Sequence, residues 1–221
     1  MYNKKINSNN IWDASYKNKK QFSQWPWSDL VSICSKFCRL GPGVSVLEIG
    51  CGVGANVPFF ESKKCEYTGV DISKKAIIYL KKNNKKKNLK FISKDFLELK
   101  TNKKFDLIID RAAITCGNNH NKIKKILKKI NVDLKENGKF IGIDWYSKKT
   151  TCYKPSKQKN FIRPGQGPLS KIGKIYFSNF TDITNNLNKF NIIYLSEKVI
   201  KNYLDKNLSI STWSFVCEKK K

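Results

Sequence analysis

A glycine-rich turn between two apolar blocks is the part of this sequence best suited to bind a ligand. The segment Gly50–Gly54 reads Gly-Cys-Gly-Val-Gly and directly follows the apolar stretch Val44–Ile49. Glycines at this spacing let a chain turn sharply out of a strand and let its backbone approach a ligand closely. Asp71 ends the next apolar block. A carboxylate at the end of the second strand, about 20 residues beyond the turn, commonly binds ribose hydroxyls. The pattern predicts a site for a cofactor that contains adenosine.

Two kinds of cofactor fit the turn, because it also satisfies the GxGxxA pattern of dinucleotide sites, with Ala55 in the last place. Three features favour S-adenosylmethionine. Glu48 precedes the turn, where a carboxylate would repel a pyrophosphate but suit an ammonium group. The chain ends in a predicted antiparallel hairpin, unlike an all-parallel dinucleotide fold. The segments after the third and fourth predicted strands both begin with an acidic residue, Asp95 and Asp110.

Strand-like apolar blocks alternate with helical patterns along the first two thirds of the chain. The strands are predicted at Val44–Ile49, Tyr67–Asp71, Leu89–Ser93, Phe105–Asp110 and Lys139–Asp144. Helices are predicted from Ser28 and at Ala55–Ser62, Lys74–Lys82, Asn121–Leu134 and Thr181–Asn188, with a turn at Asn137–Gly138. This alternation predicts an α/β fold with a parallel sheet covered on both faces. The blocks Ile192–Ile200 and Ser209–Cys217 are too close for a crossover helix, so they predict a hairpin with an antiparallel strand.

These motifs resemble those of class I S-adenosylmethionine-dependent methyltransferases. VLEIGCGVGANVPFF at 46–60 resembles their first motif and YTGVDIS at 67–73 their second. FISKDFLEL at 91–99 and FDLIIDRAAITCG at 105–117 resemble the third and fourth, and INVDLKENGKFIGIDW resembles the helix, turn and fifth strand that follow. The resemblance covers residues 28–145. It implies a Rossmann-like doubly wound sheet of about seven strands, the last one antiparallel, with S-adenosylmethionine as the cofactor.

The resemblance also implies which residues contact the cofactor. The implied contacts are Glu48, Gly50, Cys51, Gly52 and Gly54 for the methionine part, Asp71 and Ile72 for ribose and one adenine face, Asp95 and Phe96 for the adenine edge, and Asp110, Arg111 and Ile114 beneath the sulfonium. Three plainer alternatives stay open: Asp71 as a helix N-cap, Asp95 as a loop carboxylate, and Asp110–Arg111 as a local ion pair.

An N-terminal segment rich in aromatic residues precedes the predicted core. Residues 1–27 carry Trp12, Tyr16, Trp25 and Trp27. Relatives often close the cofactor site with such a segment, so we expect it to act as a cap, with Trp12 as a cofactor contact. The alternative is that these rings pack against the edge of the sheet.

Methyl transfer from a sulfonium is an in-line displacement in which positioning supplies much of the acceleration, so a general base is optional. His120, Tyr146 and Asp110 are the predicted catalytic residues, because each follows or ends a strand on the side where such sheets bind ligands. The plainer alternatives are an exposed histidine at a helix N-terminus for His120 and a packing aromatic for Tyr146. DRAAITCG at 110–117 resembles the DRGALTC motif of bacterial small-molecule methyltransferases, some from surface-polysaccharide pathways, with alanine replacing glycine. The predicted acceptor is an oxygen or nitrogen of a small molecule or glycan precursor.

The segment 146–178 is too long for a plain connection and is rich in Lys, Gly, Pro and Ser. We expect it to form a wall or lid of the acceptor site, with Tyr153 and Arg163 as substrate contacts. The alternative is a disordered, lysine-rich insertion. Residues 179–221 are expected to complete the same domain as the core at 28–145.

The chain has 44 Lys and Arg against 17 Asp and Glu, a net charge of +27. This charge suggests an anionic partner, so an RNA methyltransferase is the main alternative function. However, the excess is nearly all lysine and is scattered along the chain, which favours coding bias. A non-catalytic cofactor-binding relative is the third possibility, and the sequence leaves the oligomeric state open.

Seven cysteines without a CxxC pair, and a single histidine, predict no disulfide framework and no metal site. Free thiols fit a reducing cytoplasm, where we expect the protein to reside. No apolar run approaches about 18 residues, so the sequence predicts no membrane span.

Overall fold

The computed structural model describes residues 12–14, 16, 22–155, 160–165, 168–204 and 208–220. The chain divides between Thr101 and Asn102 into two compact units, which are described in turn. Among the described residues, no helix combines the length and the apolar character needed to cross a bilayer.

The first unit contains three parallel strands with helices between them. Its elements are α1 (Ser28–Phe37), β1 (Ser45–Ile49), α2 (Val57–Ser62), β2 (Glu66–Asp71), α3 (Lys74–Asn83), β3 (Leu89–Ser93) and a 3₁₀ turn at Phe96–Glu98. β1 pairs with β2, and β2 pairs with β3, so that Asp71 and Ser93 end neighbouring strands in register. Every residue of β1 is buried, as expected of a strand covered on both faces. The carboxyl ends of these strands meet at one edge, where the glycine turn and Asp71 lie.

The second unit contains the remaining strands and two helices. Its elements are β4 (Phe105–Arg111), α4 (His120–Asp133), β5 (Leu134–Tyr146), β6 (Phe161–Ile162), a 3₁₀ turn at Pro168–Lys171, β7 (Ile175–Tyr176), α5 (Phe180–Asn186), β8 (Phe190–Lys201) and β9 (Ser209–Lys219). β4 and β5 are parallel, whereas β9 is antiparallel to both β5 and β8. The seven longer strands take the order β3-β2-β1-β4-β5-β9-β8 in one sheet. The predicted Rossmann-like α/β fold with its antiparallel last strand is confirmed.

The start of β5 differs from the prediction. Helix α4 ends at Asp133, and β5 begins at once with Leu134, which pairs with Phe105. Pairing then shifts and resumes at Leu107 and Lys139, so the predicted Asn-Gly turn is an irregularity inside β5 rather than a separate connection. Asn137 takes a left-handed φ of 57°. Asparagine tolerates this conformation better than most residues. The prediction of a turn between α4 and β5 is therefore wrong, and the positive φ of Asn137 instead accompanies the irregularity in the strand.

The segment 146–178 contains structure that its composition did not predict. β6 and β7 form a two-stranded antiparallel sheet, and a small core of buried residues accompanies it: Ile162, Leu169, Ile175 and Phe177. The backbone amide of Tyr176 donates to the carbonyl of Thr115 (2.9 Å), and that of Gly117 donates to the carbonyl of Lys174 (2.8 Å). Because of these bonds, the segment is joined to the loop that follows β4.

The loop after β4 contains a strained residue at the position where the resembling motif has glycine. Ala112 has a φ of 58°, which lies in the left-handed region. This region costs an L-residue roughly 1–2 kcal/mol. The backbone amide of Ala112 donates to the carbonyl of Ile143 at 2.9 Å, which holds this conformation in place.

We therefore expect Ala112→Gly to stabilise the protein by about 1 kcal/mol, because relief of this strain exceeds the entropy that glycine adds to the unfolded chain. Denaturant unfolding measures the change. Ala113→Gly is the control, because Ala113 has no positive φ. That variant should lower stability instead. Equal losses in both variants would contradict this account of Ala112.

Candidate active site

The glycine turn is held against the end of β2 by its own backbone. The amide of Gly50 donates to the carbonyl of Val70 (2.7 Å), and the amide of Gly52 donates to Oδ2 of Asp71 (2.8 Å). Gly50 and Gly52 have φ values of 69° and 54°. Glycine adopts such positive values without the strain that a Cβ would bring. The turn and Asp71 therefore form one structural unit.

Asp71 accepts two backbone hydrogen bonds. Besides the bond from Gly52, its Oδ1 accepts from the amide of Ser73 at 2.8 Å. The carboxyl group is buried, and burial raises its pKa even though both backbone bonds favour the charged form. A carboxylate offers about four lone-pair sites, so Asp71 retains acceptor capacity for hydroxyl groups. The N-cap of α3 is Ser73, whose hydroxyl accepts from the amide of Ala76, so the alternative role of Asp71 as the cap is wrong.

Glu48 lies almost wholly buried in β1, with 4 % of its surface exposed. Its two carboxylate oxygens accept hydrogen bonds from Nδ2 of Asn56 (2.8 Å) and from the hydroxyl of Tyr67 (2.5 Å). Burial, followed by the charge of Glu48, raises the pKa of Tyr67, which therefore stays a donor. Glu48 thus braces the start of α2 and strand β2 beneath the turn, and its predicted cofactor contact would come on top of that role.

The N-terminal segment reaches the turn through two side chains. The hydroxyl of Tyr16 lies 2.5 Å from where a Cβ on Gly52 would stand. Burial, followed by the charge of Asp71, raises the pKa of Tyr16. Asp13 accepts a 2.5 Å hydrogen bond from the hydroxyl of Ser73 and a 3.3 Å bond from the amide of Lys75. The ring of Trp12 lies 6.4 Å from that of Tyr16.

Asp13 was missed in the sequence, although a signal existed. Asp13 and Tyr16 are three positions apart, and residues at this spacing lie on one face of a helix. Both residues are helical in the structure. Trp25 and Trp27, by contrast, are exposed. Much of the predicted cap at 1–27 lies outside the described residues.

The remaining predicted cofactor residues of the first unit lie at the same sheet edge. Oδ1 of Asp95 accepts from the amide of Leu97 (3.0 Å) and caps the 3₁₀ turn, while Phe96 is buried. The amide of Lys94 donates to the carbonyl of Asp71, which ties the ends of β2 and β3 together. Ile72 is half-buried just beyond β2. The sulfur of Cys51 packs against Gly69, and burial raises the pKa of its thiol, so this cysteine is a packing residue.

In the second unit, Asp110 organises the loop after β4. It is buried, with Oδ2 accepting from Nε1 of Trp145 (2.7 Å) and Oδ1 from the amide of Ile114 (3.0 Å). Arg111 forms a 2.5 Å ion pair with Asp144 of β5, a partner that the Asp110–Arg111 ion-pair alternative did not name. These contacts give both residues a structural role, and their predicted roles toward the cofactor and in catalysis remain predictions.

His120 begins α4 beside Tyr176. Its Nδ1 lies 3.1 Å from the hydroxyl of Tyr176, and the two rings stack with centroids 5.9 Å apart. The same hydroxyl accepts from Nδ2 of Asn160 at 3.1 Å. His120 is exposed, and the slight desolvation of its ring, followed by the charge of Lys124, lowers its pKa. His120 is therefore neutral at pH 7, the form that can accept a proton.

The other predicted catalytic and substrate residues have different surroundings. The ring of Tyr146 packs against Phe177, and burial raises the pKa of its hydroxyl, so Tyr146 keeps its proton and can donate a hydrogen bond but is poorly suited to act as a base. Tyr153 also packs against Phe177, with centroids 5.3 Å apart. Arg163 follows β6 and is exposed, which counts against its predicted place in a pocket wall. Among the described residues, no group of three His, Cys, Asp or Glu side chains could hold a metal ion.

A family model described as a methyltransferase domain matches residues 40–166, more than half of the chain. The chain belongs to this methyltransferase domain family. The assignment drawn from the motifs, a class I S-adenosylmethionine-dependent methyltransferase, is thereby confirmed. The matched region includes the glycine turn, Asp71, Asp110 and His120.

Two characterised relatives of this methyltransferase are similar over about half of its length or more. Malonyl-[acyl-carrier protein] O-methyltransferase of Priestia megaterium is 31% identical over 142 residues, which cover 61% of this chain and 49% of the relative. (S)-coclaurine N-methyltransferase of Papaver somniferum is 32% identical over 120 residues, covering 52% of this chain and 33% of the relative. The matches thus span half or less of these relatives' own length.

Solved methyltransferase structures share the fold at low sequence identity. The 1,6-didemethyltoxoflavin-N1-methyltransferase of Burkholderia thailandensis, solved with its substrate and S-adenosylhomocysteine, gives a TM-score of 0.71 at 13% identity, covering 96% of this chain and 87% of that one. A methyltransferase of Methanosarcina mazei gives 0.67 at 17% identity, covering 85% and 96%. These likenesses establish the fold of the methyltransferase.

Proposed function

We propose that this protein transfers a methyl group from S-adenosylmethionine to an oxygen or nitrogen of a small molecule. The observation that carries the proposal is a cluster of carboxylates around the glycine turn. Asp13, Glu48 and Asp71 gather there in a chain whose net charge is +27. The charges of Asp71 and Glu48 both act on Tyr16, and the charge of Asp13 acts on Asp71.

The residues of this cluster fit S-adenosylmethionine in charge. The sulfonium and ammonium groups of this cofactor are cationic, whereas the diphosphate of a dinucleotide would be repelled by three carboxylates. The Tyr16 hydroxyl already lies where a Cβ on Gly52 would stand, so a side chain at this position would have to displace Tyr16 from the turn. Asp71 would hold the ribose hydroxyls with the acceptor capacity that its two backbone bonds leave free.

S-adenosylmethionine, when bound, supplies a methyl group already activated on a sulfonium. The protein then has to hold the two reactants, orient them toward each other and exclude water. The backbone bonds among the turn, Asp71 and Ser73 fix the binding surface before a ligand arrives. His120, held by the hydroxyl of Tyr176, takes the proton that the acceptor loses.

The acceptor class rests on the relatives and on the segment 146–178. The two characterised relatives are named as an O-methyltransferase and an N-methyltransferase, so the proposal includes both acceptor atoms and extends to glycan precursors. The segment has its own core and hydrogen-bonds to the loop after β4, which supports a role as the wall of the acceptor site. Tyr153 belongs to the packing of this wall.

Cofactor binding should depend on Asp71 and on the absence of a side chain at Gly52. We expect Asp71→Ala to weaken S-adenosylmethionine binding by about 1.5–3 kcal/mol, the range for losing hydrogen bonds to a charged group. Gly52→Val should abolish binding, because the side chain meets Tyr16 and strains a left-handed residue. Isothermal titration calorimetry measures both.

Gly41→Ala is the matched control, since a Cβ at Gly41 meets nothing within 4 Å, and it should bind like the wild type. Normal binding by both site variants would show that the cofactor lies elsewhere.

The pH dependence of turnover tests His120. The acceptor used is the compound that is methylated fastest in a panel of small carboxylates, alcohols and amines. kcat/KM should rise with pH and then level off, because the neutral form of His120 is the active one. The midpoint of the rise should lie below 6.5, because the pKa of His120 is lowered. His120→Gln should remove this rise and lower kcat/KM by roughly 10²–10⁴-fold. Tyr176→Phe should keep the rise with a smaller loss. An unchanged profile in His120→Gln would exclude His120 as the base.

A further inference from the structure

A cavity of about 650 Å³ lies in the second unit beside α4 and α5. This volume is typical of small-molecule sites. Helix α4 contributes His120, Lys124 and Lys128 to its lining, and β7 contributes Tyr176. Asn186 lines it from the end of α5, and Lys189 from just beyond that helix. The roles proposed so far use only His120 and Tyr176.

The charge of this cavity is strongly positive. Lys124, Lys125, Lys128 and Lys189 line it, and none of their ammonium groups forms an ion pair within the described part of the chain. The lining contains one acidic residue, Asp182, which is already engaged by Lys148 at 2.7 Å and by the backbone amide of Asn179. Both contacts contribute to the lowered pKa of Asp182. An anion would therefore find cationic groups here that no described carboxylate engages.

The second observation is the amide of Asn186. This side chain is 6 % exposed, and neither its Nδ2 nor its Oδ1 has a hydrogen-bond partner among the described residues. A buried polar group without a partner costs about 1–3 kcal/mol, and such groups are rare in folded proteins. Asn186 lines the cavity, and the cost is recovered if its covered amide turns toward a bound molecule that supplies the missing partners.

We propose that the cavity beside α4 and α5 binds a phosphorylated small molecule. The lysines hold the phosphate as point charges, and Nδ2 of Asn186 donates a hydrogen bond to a phosphate oxygen. The four lysines are exposed, but they line one concave site, which suits a compact ligand better than an extended nucleic-acid backbone. The proposal does not depend on methyl transfer, because binding is measured without S-adenosylmethionine.

Calorimetric titration of the full chain with pyrophosphate tests the charge requirement. The double variant Lys128→Glu, Lys189→Glu should weaken pyrophosphate binding at least about tenfold. The control Lys85→Glu, Lys87→Glu changes the net charge equally at two exposed lysines outside the cavity, and should change the affinity less than about twofold. Equal losses in the two double variants would mean non-specific attraction to a basic protein and would overturn the proposal.

Asn186→Leu tests the amide separately from charge. If the amide serves a ligand, this variant should weaken pyrophosphate binding about three- to tenfold while its melting temperature without ligand stays the same or rises. A lower melting temperature or unchanged binding would overturn the role given to Asn186. A single-stranded RNA oligonucleotide is titrated in parallel. The proposal is wrong, and the site binds nucleic acid, if RNA binds more tightly than pyrophosphate and only the Lys128→Glu, Lys189→Glu variant loses RNA binding.

Discussion

The carboxylate of Asp71 is the interaction on which the cofactor site depends. It accepts hydrogen bonds from the backbone amides of Gly52 and Ser73, and so joins the glycine turn to the start of α3. The Ser73 hydroxyl in turn donates to Asp13, which brings the N-terminal segment to the same place. A buried carboxylate is costly to desolvate, and these charge-assisted bonds offset that cost. Without Asp71, the turn and the cap segment would lose their common anchor.

The protein separates charge into two sites of opposite sign. Three carboxylates surround the glycine turn of the first unit, although acidic residues are a small minority in the chain. The cavity of the second unit is lined by lysines that form no ion pair among the described residues. Local charge, rather than the net charge of +27, decides which ligand each site suits. A cationic cofactor suits the first site and an anionic ligand the second.

The fold was largely predictable, because apolar blocks of strand length alternate with amphipathic helices. The short link before Ser209 was enough to predict the terminal hairpin. The glycine turn and Asp71 could be found because their spacing is local in sequence. The partners of Glu48 could not, since only the pairing of β1 with β2 brings Tyr67 to it. The same holds for the hydrogen bond between Asp13 and Ser73, because these two residues are distant in the sequence. β6 and β7 escaped prediction because such short strands leave no periodic pattern.

The most direct test of the account is a calorimetric titration of the wild-type chain with S-adenosylmethionine and, separately, with NADH. If the site around Asp71 is acidic, one molecule of S-adenosylmethionine should bind per chain and should be displaced by S-adenosylhomocysteine. NADH should give no heat of binding. Binding of NADH together with no binding of S-adenosylmethionine would contradict the account and make the turn a dinucleotide site.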